Sequence, residues 1–261
     1  MPNISLAGWS VNRRFRRPDK PLLLLDFPRL AREEFGIQAV ELNSPFFASL
    51  DAAYLRELRH RAAAEGVALL NIAVDNQGDL SAAEPEQRRQ AVENHRRWLD
   101  VAAALGCNAV RANTGGRDAP DLEERVARCL ETFGALAEAA AQRGLRILIE
   151  NHGGVSGDPE RIVRIVQGVG GTAIGTLPDF GNFPAAVRYD ALAKIAPFAG
   201  AVHAKTYAFN AQGEETTIDV GRCVRILLDA GYAGPFGIEF EGQGDDHEGV
   251  LKTKALLERY L

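Results

Sequence analysis

Arg146-Ile-Leu-Ile-Glu150-Asn151 and Gly175-Thr-Leu-Pro-Asp179-Phe-Gly-Asn182, separated by a segment that opens on Asp158-Pro159 and ends near Gly168, read as strand, helix and strand. An aspartate oxygen can satisfy the free N–H groups of a first helical turn. Proline suits the first helical position, and glycine accepts the left-handed exit. No Gly-Lys-Ser or Gly-Lys-Thr follows Gly168-Val-Gly170-Gly171, so that run reads as a turn back into a strand rather than a phosphate loop. The strand runs are short and largely apolar, as parallel strands covered on both faces should be. Each of them closes on a carboxylate.

The same unit repeats along the chain. Strand-like runs occur at Ile4–Trp9, Ala39–Asn43, Ala68–Asp75, Ala109–Thr114, Arg146–Asn151, Gly175–Asp179, Gly200–Thr206 and Phe236–Glu241. Helical stretches at Asp51–Glu65, Pro85–Leu105, Asp121–Arg143 and Ile218–Ala230 each stop at a glycine or just before one, like the stretch at Asp158–Gly168. Eight strand–helix units in 261 residues predict a single (β/α)8 TIM barrel spanning residues 1–261. The competing architecture, a doubly wound open sheet, lacks its Gly-x-Gly-x-x-Gly after the first strand.

In a barrel of this kind the active site lies at the C-terminal ends of the strands. Four such ends carry Glu150, Asp179, His203 in Gly200-Ala-Val-His203-Ala-Lys205, and Glu239 in Phe236-Gly-Ile-Glu239-Phe-Glu241. Three carboxylates and an imidazole around one point would repel without a cation. They suit a divalent ion, Mg, Mn, Co or Zn, that keeps positions open for substrate. His203 is expected to bind as neutral imidazole through one nitrogen, with the other held by an acceptor.

Residues two apart on a strand share a face. Lys205 and Glu241 therefore stand beside His203 and Glu239, where they are expected to support the ligands, with Lys205 also available to substrate. Arg111, Asn113, Glu41, His152 and Asn182 occupy equivalent rim positions and are candidates for substrate binding. His60 and His95, beside arginines on helices, read as solvated surface. His247 reads as part of a helix start, and Arg13, Arg14, Arg16 and Arg17 as a charged loop on the same rim.

A formal charge of −5 argues against a general affinity for nucleic acid or anionic lipid. Cys107, Cys129 and Cys223 form no CxxC pair and read as free thiols. Met-Pro-Asn-Ile-Ser is not a basic region leading into an apolar run, so the expected location is cytoplasmic. No run is apolar for long enough to span a membrane. A homo-oligomer is left open.

Ile149-Glu150-Asn-His-Gly153, Asp179-Phe-Gly-Asn182, Val202-His203-Ala-Lys205 and Ile238-Glu239-Phe-Glu241-Gly242, with Val40-Glu41-Leu-Asn-Ser-Pro45 and Arg111-Ala-Asn113-Thr-Gly-Gly116, resemble the xylose isomerase-like TIM-barrel superfamily of sugar phosphate isomerases and epimerases. The resemblance implies a divalent metal on Glu150, Asp179, His203 and Glu239, with Glu150 and Glu239 as the catalytic pair that moves a proton. It implies a small sugar, polyol or keto acid as substrate, deprotonated alpha to a carbonyl through an enediolate. The same superfamily holds dehydratases of inosose and dehydroshikimate, which makes a lyase the alternative. A non-catalytic polyol-binding barrel or partner-dependent subunit is the alternative of another class. Ketose 3-epimerases place a histidine where this chain has Asn182. The endonuclease branch needs a histidine-rich zinc site, and this chain has five histidines in all.

Overall fold

The computed structural model describes residues 3–261; the first two residues of the chain lie outside the described part. Eight parallel strands form one curled sheet: β1 (Ile4–Ala7), β2 (Ala39–Asn43), β3 (Ala68–Val74), β4 (Ala109–Ala112), β5 (Arg146–Glu150), β6 (Ile174–Leu177), β7 (Val202–Thr206) and β8 (Phe236–Phe240). Neighbours pair in chain order from β1 to β6, and β1 also pairs with β8, which pairs with β7. The seam between β6 and β7 is closed by backbone bonds beyond the strands. Gly200 N–H donates to Thr176 O at 2.8 Å, His203 N–H to Pro178 O at 3.0 Å and Phe180 N–H to His203 O at 3.0 Å. The result is the (β/α)8 TIM barrel expected from the sequence.

The helices are α1 (Asn12–Phe15), α2 (Phe27–Phe35), α3 (Ala52–Ala64), α4 (Pro85–Leu105), α5 (Leu122–Ala141), α6 (Pro159–Val169), α7 (Arg188–Ile195), α8 (Val220–Asp229) and α9 (Asp246–Glu258). The local signals hold at their ends. Asp51 and Asp158 cap α3 and α6 through their side chains, and Gly36 and Gly106 close α2 and α4 with φ of 63° and 76°. Helices α1, α2 and α7 are additional to the sequence reading, and α1 takes up Arg13 and Arg14 of the expected charged loop. In α2, Phe27, Ala31 and Phe35 recur every four residues and are buried, but five intervening charged or proline positions mask the stripe. Helix α7 is a short one whose first residue, Arg188, is buried and donates to Thr217 O.

Most of the apolar core lies between the sheet and the helices. Inside the barrel, Ala109, Leu148, Leu177 and Ala201 form a separate small plug. Above it the interior turns polar: Ser5, Glu41, Asn71, Arg111, Glu150, His203, Lys205 and Glu239 are all at most 5 % exposed. Polar groups so deep need partners or a ligand.

His95 corrects the expectation of a solvated surface histidine. It is 2 % exposed in α4, with Nδ1 2.7 Å from Ala91 O. Burial pushes its pKa down, with Arg111 acting in the same direction. The neighbouring arginines face outward while the ring turns inward, a distinction of helical phase that charge in the sequence does not reveal. His60 is exposed, as expected.

Candidate metal centre

Strands β5 to β8 deliver one candidate ligand each. Glu150 is the last residue of β5, His203 and Glu239 lie inside β7 and β8, and Asp179 sits two residues past β6. The Asp179 segment is pinned by Asn151, whose Oδ1 accepts the Asp179 N–H at 2.7 Å and whose Nδ2 donates to the Asp179 carbonyl at 3.0 Å. Asp179 Oδ1 then accepts the N–H groups of Gly181 and Asn182, both at 2.8 Å, which leaves Oδ2 turned inward. One ligand atom from each of Glu150, Asp179, His203 and Glu239 lies within 4.8 Å of all the others.

The donor set fits a divalent cation on its own geometry. Glu150 Oε2, Asp179 Oδ2, His203 Nδ1 and Glu239 Oε2 are buried, and among the described residues none has a hydrogen-bond partner. That is one orphaned lone-pair atom per residue, all turned to a common point. Cationic side chains come close without proper hydrogen-bond geometry: Arg111 Nε is 2.9 Å from Glu150 Oε2, and Lys205 Nζ is 3.1 Å from Glu239 Oε2 and 3.4 Å from Asp179 Oδ2. Three hard oxygens and one imidazole nitrogen match Mg, Mn, Co or Zn.

The electrostatics are those of an over-crowded acidic site. Burial pushes the Asp179 carboxyl well up; Lys205 pulls it back, but Glu239 and Glu150 add to the rise. Burial would also raise Glu239, yet Lys205 and His203 outweigh it and hold that carboxyl at about 2. Glu150 is likewise held low against its burial, chiefly by Arg111. Burial alone would lower His203, but Glu239, Glu150 and Glu41 press its pKa well up. Lys205 is driven up by Asp179, Glu239 and Glu241 against its own burial. A divalent ion would relieve the repulsion that these shifts report.

A cavity of about 450 Å³ opens above this group, and Glu239 forms part of its floor. Lys205, Arg111, Asn113, His152 and Glu241 line it as well. Lys205 Nζ also donates to Asn182 Oδ1 at 3.0 Å, and Asn182 Nδ2 donates to Glu150 Oε1 at 3.3 Å, so Asn182 bridges the lysine and the carboxylate. Glu241 Oε2 lies 3.3 Å from Lys205 Nζ. The loops after β4 and β5 form one wall by direct backbone contact: a Cβ on Gly154, whose φ is 58°, would fall 2.1 Å from Gly115 O. Only glycine fits there.

Glu41 departs from its expected role as a substrate contact. It is 2 % exposed and is not part of the cavity lining, because its side chain passes over Gly237 to reach His203. Its oxygens meet Ser5, Asn71 and His203. Arg111 reaches the cavity but is also bound to Asp75 Oδ1 at 2.7 Å and to Val74 O at 3.1 Å. Asp75, which also receives Asn113 Nδ2 at 3.1 Å and lines the cavity, is absent from the set expected from sequence. It carried a usable signal, since it closes the third apolar run as Glu150 closes the fifth. Trp9 is a further unexpected lining residue, and Arg16 stacks 4.7 Å above its ring.

A family model described as xylose isomerase-like TIM barrel matches residues 29–260. No curated protein matches the chain in sequence. Among solved structures, 3-keto-D-glucoside 4-epimerase YcjR from E. coli superposes with a TM-score of 0.77 at 14% identity, over 99% of this chain and 100% of that one. The IOLI protein, solved with a binding zinc atom, gives 0.80 at 14% identity over 100% and 99%. A xylose isomerase-like TIM-barrel protein from Mycobacterium smegmatis, in complex with magnesium, gives 0.71 at 20% identity over 99% and 96%. Identities this low establish a shared fold.

Proposed function

The chain belongs to the xylose isomerase-like TIM-barrel family, and on that footing we propose that it is a divalent-metal-dependent isomerase or epimerase of a small sugar or sugar phosphate. The observation that carries the reading is the convergence of four orphaned ligand atoms under a polar cavity floored by Glu239 and lined by Lys205. Solved neighbours that are sugar epimerases, or that hold zinc or magnesium, support it. The whole chain is read as one barrel domain acting on a small molecule in the cytoplasm.

Glu150, Asp179, His203 and Glu239 would hold the ion. Such an ion supplies Lewis-acid stabilisation for negative charge developing on a substrate carbonyl oxygen. The side chains do the rest. Glu239, at the cavity floor, accepts the proton from the carbon alpha to the carbonyl. Lys205 offers its ammonium to the substrate oxygen on which the enediolate charge gathers. Return of the proton to the former carbonyl carbon, with the hydroxyl proton of the enediol passing from one oxygen to the other, completes an isomerisation. Delivery of a solvent-derived proton from Glu150 to the opposite face of the same carbon, while Glu239 releases its own proton to solvent, completes an epimerisation. Arg111 and Asn182 hold Glu150 in place for that step.

Lyase chemistry is the second reading. It is favoured by Lys205 standing beside both Glu239 and Glu241, which puts a proton donor next to the base. There the same deprotonation is followed by loss of a protonated hydroxyl as water.

The test is solvent exchange. Protein loaded with Mn, Mg, Co or Zn is incubated in deuterated water with ketoses, their phosphates, inososes and dehydroshikimate, and mass spectrometry follows carbon-bound deuterium. Absence of exchange with every compound and every ion overturns both readings in favour of a binding role. Lys205→Met is expected to lower turnover about 100-fold or more while ion affinity changes only a few-fold, because Lys205 touches the ligands without being one. Full activity in that variant would assign Lys205 to structure alone.

A further inference from the structure

The register of the sheet sets Ser5, Gly237 and His203 side by side, since Ser5 pairs with Gly237 across β1–β8 and His203 pairs with Gly237 across β7–β8. Glu41 enters this row from β2 and passes over the bare backbone of Gly237. A Cβ on Gly237 would lie 2.1 Å from Glu41 Oε1. Ser5 Oγ donates to Oε1 at 2.6 Å, and Asn71 Nδ2 donates to Oε2 at 2.7 Å. His203 Nε2 stands 3.1 Å from that same Oε2.

These contacts decide which imidazole nitrogen carries a proton. An amide nitrogen only donates, so Glu41 Oε2 serves as an acceptor toward Asn71, as Oε1 does toward Ser5. An oxygen that already serves as acceptor is best completed by a donor, and this places the proton of the contact on His203 Nε2. When one ring nitrogen is held as N–H, the lone pair of the neutral ring falls on the other. That other nitrogen, Nδ1, has no hydrogen-bond partner among the described residues and faces Glu150 Oε1 at 3.4 Å and Glu239 Oε2 at 3.5 Å.

We propose that Glu41, braced by Ser5 and Asn71 in the notch left by Gly237, is a positioning residue that holds His203 as the Nε2–H tautomer and presents Nδ1 to the divalent ion. The inference rests on the reading of this site as a metal centre and adds the atom that binds and the group that aims it. A buried carboxylate behind a metal-binding histidine fixes both ring orientation and basicity. It explains why a glutamate is kept 2 % exposed on a strand interior among hydrogen-bond donors, and why the β8 residue that its side chain passes over has none of its own.

The test uses full-length protein labelled with 15N-histidine and loaded with 113Cd2+, a diamagnetic probe. The expected spectrum shows a one-bond proton splitting on His203 Nε2 and a cadmium coupling on Nδ1. Glu41→Gln is expected to weaken Cd2+ binding about 10- to 100-fold, and Gly237→Ala, which pushes Glu41 aside, to act in the same direction. Cadmium coupling to Nε2, or a Glu41→Gln affinity within about twofold of the parent, overturns this inference alone. Failure of the parent protein to bind Cd2+ overturns the metal reading and this one with it. Should either variant not fold, the spectrum of the parent protein still decides the tautomer.

Discussion

Replacement of Glu239 by glutamine is expected to reduce solvent exchange at the substrate carbon by about 10²- to 10⁴-fold, the usual worth of a positioned general base. Ion binding should fall much less. The amide keeps an oxygen toward the cluster, and Glu150, Asp179 and His203 remain. Folding should survive, because Glu239 is one of three buried carboxylates that crowd one another, and removing its charge relieves Asp179. Lys205 keeps Asp179 and Glu241 as partners. The readout is deuterium incorporation measured at saturating ion. Exchange within tenfold of the parent protein would move the base to another residue, with Glu150 the next to test.

The second large effect is on stability. Saturation with a divalent ion at about 100 times its dissociation constant should stabilise the fold by about 2.7 kcal/mol. For a chain of this length that corresponds to a rise of roughly 5–10 °C in melting temperature. Chelation should remove the gain, and ion content and the thermal shift should both fall in Glu150→Gln and fall furthest in His203→Ala, which leaves no ligand atom at its position. Unchanged ion occupancy in both variants would remove these residues from the site.

Asp179→Asn is expected to show opposite signs in the two states. It should abolish the ion-dependent gain, yet make the metal-free protein more stable by about 1 kcal/mol or more, the worth of a single pKa unit. The sign follows from the direction of the shift. Burial and the neighbouring glutamates raise the folded-state pKa of Asp179. Such a group contributes stability at low pH that is lost as pH rises through its folded pKa. The asparagine variant should therefore gain on its parent at neutral and alkaline pH and lose that advantage in acid. Paired thermal melts with and without chelator, across pH, would show it.

The barrel and its rim residues were legible because their signals are local. A strand two-face period, an Asp or Pro at a helix start and a Gly at its stop act within a few residues. Pro85–Leu105 and Ala39–Asn43 appear in the structure with the bounds read from the chain. Other strand readings run one to a few residues long, since apolar runs continue into the loops that carry the site; Asp179, for instance, lies beyond the end of β6. Helix α2 escaped because its charges hide a real four-residue stripe.

The alternation of strand and helix, the eight-fold count, and the strand ends that bear carboxylate or imidazole are all written in the order of residues. What those ends do depends on which of them the closed barrel brings together. Glu41 and His203, 162 positions apart, meet because β2, β1, β8 and β7 lie side by side and Gly237 leaves a gap. Asp75 joins the cavity wall through Arg111, and His95 turns inward although its neighbours in sequence are charged. Burial, pairing and the direction of a lone pair are properties of neighbours in space. A chain can specify them only by closing the barrel that makes those residues neighbours.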